Sequence, residues 1–68
     1  MIEVDARGLS CPEPLMLVDK AWKAHPGETL RVLVSEVFVK TNVEKFAKSK
    51  GKKSTAAPTD DGFALTIE

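Results

Sequence analysis

Pro12 and Pro14, one residue apart, dictate where a helix can begin in this chain. Proline lacks an N–H and its ring clashes with the preceding turn, so a Pro-x-Pro pair would break a helix interior. In the first turn backbone N–H groups have no intrahelical acceptor, and both prolines are tolerated there. The first helix is therefore expected to start at Pro12, directly after the run Gly8-Leu9-Ser10-Cys11. From there to about His25, Leu15, Val18, Ala21 and Trp22 recur at helical spacing, while Glu13, Asp19, Lys20 and Lys23 fall on the other side. Pro26-Gly27 stops the segment.

Around this helix the pattern switches period. Ile2 and Val4 alternate with Glu3 and Asp5, as in a short strand with one buried face. Leu30, Val32 and Val34 alternate with Arg31 and Ser35, leaving Leu33 as the one apolar residue on the outer face. A second helix is expected over roughly 37–50, with Val39, Val43, Phe46 and Ala47 on one stripe and Gly51 as its stop. The last third reads as a hairpin: a weak strand over 53–57, a turn at Thr59-Asp60-Asp61-Gly62, and a firm strand over 63–67 with Phe63, Leu65 and Ile67 inward.

The order βαβαββ makes strands one and two parallel, joined by a right-handed crossover, while the final hairpin adds antiparallel pairing. Clean alternation means that only one sheet face is covered. The expected fold is an α/β two-layer sandwich, a mixed four-stranded sheet with both helices on one face, and residues 1–68 read as a single domain. A chain of 68 residues buries only about 60% of its unfolded surface, so its margin of stability is thin. Hydrophobic content of 43% with 29% charged residues argues against disorder. No signal-like or membrane-length stretch occurs, and ten basic side chains balance ten acidic ones, which removes a general electrostatic drive toward nucleic acid.

Cys11 is the only cysteine. It excludes an internal disulfide and a multi-cysteine zinc site, and it fits a reducing cytosol. With Pro12 as the first helical residue, Cys11 is the N-cap, and its sulfur can accept the Glu13 N–H, since Pro14 has none to give. With Ser10 as the cap, Cys11 stands one step inside the helix. Either way the positive end of the helix dipole stabilises a thiolate and lowers the thiol pKa. Arg7 adds to this where the Gly8 turn folds it back, and Glu13 opposes it. The competing reading, a small buried hydrophobe, fits poorly with a helix start between two prolines.

Few other residues carry chemistry. His25 lies about 14 helical residues away, roughly 20 Å at ~1.5 Å each, so no Cys–His dyad or shared metal site is expected. Exposed apolar groups near the thiol, Leu9 and Met16, suit a surface that meets protein partners. Phe38 either lines such a surface or closes the core, and Lys40, near the start of helix two, approaches Cys11 from the same sheet edge. Lys45, Lys48, Lys50, Lys52 and Lys53 form one basic cluster, read as a solvated helix end without the aromatics that single-strand stacking needs.

The stretch from Asp5 to Trp22, with glycine, Cys11, Pro12 and Pro14 in register after a short strand, resembles the TusA/SirA-like family, marked by a Cys-Pro-x-Pro motif at its first helix. The stretch from Asn42 to Gly51 looks closest to the YedF-like branch. The resemblance implies a small cytoplasmic sulfur carrier without metal or cofactor. Cys11 would hold a persulfide taken from a cysteine desulfurase-like protein and pass it to an acceptor protein, with Gly8, Pro12, Glu13 and Pro14 shaping the site. No direct contact with nucleic acid or membrane is expected. Two alternatives stay open: a regulatory module whose cysteine forms mixed disulfides, and a selenium carrier. The chain can equally be one domain of a longer protein.

Overall fold

A computed structural model describes residues 2–10 and 12–68. Its elements follow in the order β1 (Ile2–Asp5), α1 (Glu13–Ala24), β2 (Leu30–Val34), α2 (Val37–Ser49), β3 (Ser54–Thr59) and β4 (Gly62–Ile67). The four strands form one sheet ordered β1-β2-β4-β3. β1 runs parallel to β2, and β4 is antiparallel to both β2 and β3.

The register explains the period-2 pattern. Val4, Val32, Leu65 and Ala56 stand in one row across the sheet, and Ile2, Leu30, Ile67 and Ser54 in the next. These rows meet Val18 of α1 and Val39, Val43 and Ala47 of α2 in one core, in which Leu30, Val32, Val34, Leu65, Ile67, Val18 and Val43 are fully buried. Both helices therefore lie on the same sheet face, as expected from strands that alternate. Trp22 of α1 stacks on Phe46 of α2 with ring centroids 5.4 Å apart, which closes the seam between the helices.

On the opposite face the rows Glu3-Arg31-Thr66-Thr55 and Asp5-Leu33-Ala64-Ala57 meet solvent. Glu3 and Arg31 are direct cross-strand neighbours and form an ion pair at 2.8 Å. Leu33, the apolar residue on this face, is only 9% exposed because Arg7, Arg31 and the β3–β4 turn stand around it. Arginine stems shield apolar surface while their charged ends stay wet.

The bounds of α1 and of the final hairpin differ from the sequence expectation by one or two residues. α1 starts at Glu13 with Pro12 as its N-cap, and no side chain among the described residues caps it. The Glu13 N–H donates to the Ser10 carbonyl at 3.0 Å; the contact expected between it and the Cys11 sulfur lies outside the described residues. β3 extends to Thr59 instead of ending at 57, because Thr59 pairs with Gly62 across a two-residue turn at Asp60 and Asp61. Pro58 is tolerated because Lys53 and Glu68 exchange both backbone hydrogen bonds, at 3.2 and 2.8 Å. By alternation, position 58 then faces the free edge, where no donor is needed.

Candidate functional site

The segment between β1 and α1 is held at three points. Ala6, 1% exposed, prolongs the β1–β2 ladder by donating its N–H to the Leu33 carbonyl at 2.8 Å. Gly8, at φ +77°, turns the chain in a conformation that costs a side-chain-bearing residue about 1–2 kcal/mol. Its N–H donates to the Ser35 hydroxyl at the end of β2, 2.8 Å away. Beyond it Ser10, whose carbonyl accepts from Glu13, leads into the motif.

The third tether is Arg7. Its guanidinium grips Asp5 with two hydrogen bonds of 2.9 Å and reaches Asp61 in the β3–β4 turn at 3.0 Å. A fork that meets one carboxylate with two donors is the strongest geometry open to an exposed pair. Hydrogen bonds from the Arg7 side chain and then from its backbone N–H pull the Asp5 carboxyl from 3.8 down to about 2. Asp5, followed by Asp61, pushes Arg7 further above its already high value. Arg7 is thus held by two carboxylates over the open sheet face; its relation to the Cys11 thiol lies outside the described residues.

Cys11 itself lies outside the described residues. Its neighbours Ser10 and Pro12 are exposed, as is Glu13, while Pro14 is buried. Leu9, Glu13, Met16 and Leu17 line a shallow hollow of about 190 Å³ beside the motif. Met16 is 65% exposed and Phe38 58%, so Phe38 does not close the core, and Val37 next to it is similarly open. In a β1-α1-β2-α2-β3 chain with three parallel strands, both helices begin at one sheet edge, which collects Leu9, Met16, Val37 and Phe38 at the same end as the motif.

Lys40 pairs its ammonium with Glu44 at 3.1 Å and lies 5.6 Å from the centre of the Phe63 ring, whose residue pairs with Val34 at the end of β2. His25 caps the far end of α1. Sequence reasoning did not single out Ser35, Asp61 or the close approach at Gly62. The only signal was the Asp60-Asp61-Gly62 turn, and nothing local says that it meets Arg7, 54 residues earlier.

Similarity to known proteins now bears on this site. A family profile described as "Sulfurtransferase TusA" matches residues 2–68. The chain is 31% identical over 64 residues to the "Sulfur carrier protein TusA" of Pseudomonas syringae pv. syringae (strain B728a), covering 93% of this chain and 76% of that protein. Its fold superposes on the crystal structure of a SirA-like protein from Desulfitobacterium hafniense with a TM-score of 0.86 and 29% identity, over 98% of this chain and 93% of that one. A match along nearly its whole length, in sequence and in fold, with Cys-Pro-Glu-Pro at the start of α1, means that the chain belongs to the TusA sulfurtransferase family.

Proposed function

We propose that this protein is a cytoplasmic sulfur carrier that holds sulfur as a persulfide on Cys11. One observation carries the reading: the sole cysteine of a TusA-family chain stands in Cys-Pro-Glu-Pro, just before the exposed N-terminus of α1. The Cys11 thiolate attacks the outer sulfur of a donor persulfide, R–S–SH. The new bond joins Sγ to that sulfur, the donor S–S bond breaks, and the donor leaves as a thiolate. An acceptor thiolate then repeats the attack on Cys11–S–SH and regenerates the Cys11 thiolate. Neither step needs an outside oxidant or reductant.

The donor is a cysteine desulfurase-like protein and the acceptor a second protein, both docking on the apolar edge formed by Leu9, Met16, Val37 and Phe38. Gly8, Pro12, Glu13 and Pro14 shape the approach to the sulfur. Three tethers on the preceding loop reduce the conformations it must lose when a partner binds.

Incubation with cysteine and a cysteine desulfurase, followed by intact-mass measurement, should add one sulfur atom to the wild type and none to Cys11→Ser. Dithiothreitol should release that sulfur as sulfide. An unchanged mass, or a mixed disulfide that yields no sulfide, would overturn the reading.

A further inference from the structure

At the end of the fold away from the motif, four lysines line one groove. Lys45 and Lys48 approach it from α2, and Lys52 and Lys53 from the connection just before β3, around a volume of about 450 Å³. Among the described residues none of the four forms an ion pair; the pairs that do form use Arg7, Lys23, Arg31 and Lys40. Glu44 also lines the groove, but its carboxylate is taken by Lys40. Because the chain has zero net charge, this concentration makes the molecule strongly lopsided. The C-terminal end of the α2 dipole, about half a unit charge, offsets only a small part of four cations.

Beside the groove runs the free edge of β3, which pairs only with β4. The reciprocal hydrogen bonds between Lys53 and Glu68 turn the odd-numbered residues of β3 toward β4. Ser54 and Ala56 therefore present both N–H and C=O outward, until Pro58, which has no N–H, ends the run.

We propose that this groove docks an acidic, extended segment of a partner polypeptide, laid along the β3 edge at Ser54–Ala56 with its carboxylates among Lys45, Lys48, Lys52 and Lys53. The edge supplies donors and acceptors at the spacing of another strand, and the lysines select its charge. A second copy of this chain is a poor occupant, since edge-to-edge pairing would bring two lysine clusters together. A nucleic acid would find no aromatic side chain in the groove to stack on. The inference stands apart from the reading of Cys11, because the groove lies at the opposite end of α2 from the motif edge.

The test uses the intact protein and a fluorescent peptide of alternating glutamate and valine, followed by anisotropy at low salt. Binding should saturate and fade with added salt. Lys48→Glu with Lys52→Glu should weaken it about tenfold or more, whereas Lys20→Glu on α1 leaves it unchanged. Lys48→Gln with Lys52→Gln should give a smaller fall in the same direction. A peptide N-methylated at alternate amides, with the same charge, should bind more weakly because it cannot pair with the edge. Equal binding by wild type and both double variants, equal binding of a neutral strand peptide, or displacement by a single-stranded RNA of the same length would each overturn the proposal. Sulfur loading of the charge-reversed protein, read by intact mass, is expected to match wild type, so failure at Cys11 and failure at the groove are separable.

Discussion

Gly62→Ala is the substitution whose cost can be worked most directly from the geometry. A Cβ at this position would fall on the Val34 carbonyl oxygen, 2.8 Å from Ser35 Cα and 3.0 Å from the Val34 carbonyl carbon. All three are backbone atoms of β2 and its end, so no rotamer change relieves the clash. The start of β4 must move away from β2, weakening the Val34–Phe63 pairing. Overpacking costs about 1–3 kcal/mol, a lost ladder hydrogen bond about 1 kcal/mol and the positive φ about 1–2 kcal/mol, which together come to at least about 3 kcal/mol. A domain of this size has a stability of roughly 3–10 kcal/mol in all. At 4–8 °C per kcal/mol, the midpoint of thermal unfolding should fall by about 12–24 °C.

Gly8→Ala is the matched control. It too sits at positive φ, but no atom lies within 4 Å of the point a Cβ would occupy, so only the backbone cost of about 1–2 kcal/mol applies. Circular dichroism melts and urea titrations should rank wild type, Gly8→Ala and Gly62→Ala in descending stability. Because Ser35 is the acceptor for the Gly8 N–H, Gly62→Ala should also speed hydrogen exchange at the Gly8 amide. A Gly62→Ala protein that melts within about 4 °C of wild type, or above Gly8→Ala, would refute the steric reasoning.

Further outcomes follow from other sites. Leu65→Ala removes a fully buried side chain at the sheet centre and should cost about 2–5 kcal/mol in urea unfolding, enough to leave the fold marginal. Phe38→Ala, at an exposed position, should shift stability by no more than about 0.5 kcal/mol yet slow sulfur transfer from a desulfurase. The Asp5 carboxyl is held at about 2, below its ordinary 3.8, so the stability it contributes is present above the ordinary value and disappears as pH falls through about 2. The gap in urea midpoint between wild type and Asp5→Asn should accordingly be widest near neutral pH and close in that acid range. Arg7→Lys retains the charge but loses the fork to Asp5 and the reach to Asp61, and should raise amide exchange over residues 6–10 without changing the helices.

Much of this architecture was legible because its causes are local. Alternation in Leu30, Val32 and Val34 reports a strand with one buried face wherever it occurs, and the stripe of Val39, Val43 and Ala47 reports a helix packed on one side. The Pro12-Glu13-Pro14 run placed the helix start within one residue. That the Ser10 carbonyl accepts the Glu13 N–H was less legible, since it depends on how tightly the turn closes. The length of β3 was missed for a related reason: Pro58 looks like a breaker until the sheet order puts it on an edge.

By itself the chain's order of residues determined the six elements, the inward side of each, the family and the position of its one cysteine in Cys-Pro-Glu-Pro. Only the tertiary structure decided that Arg7 serves Asp5 and Asp61, that Ser35 accepts from Gly8, that Gly62 must lack a side chain, and that four lysines share one groove. Periodicity is set by neighbours two residues apart in a strand and three or four apart in a helix, which the sequence displays directly. Contacts between residues 27 or 54 positions apart exist only after hydrophobic burial has chosen the sheet order β1-β2-β4-β3 and brought their backbones together.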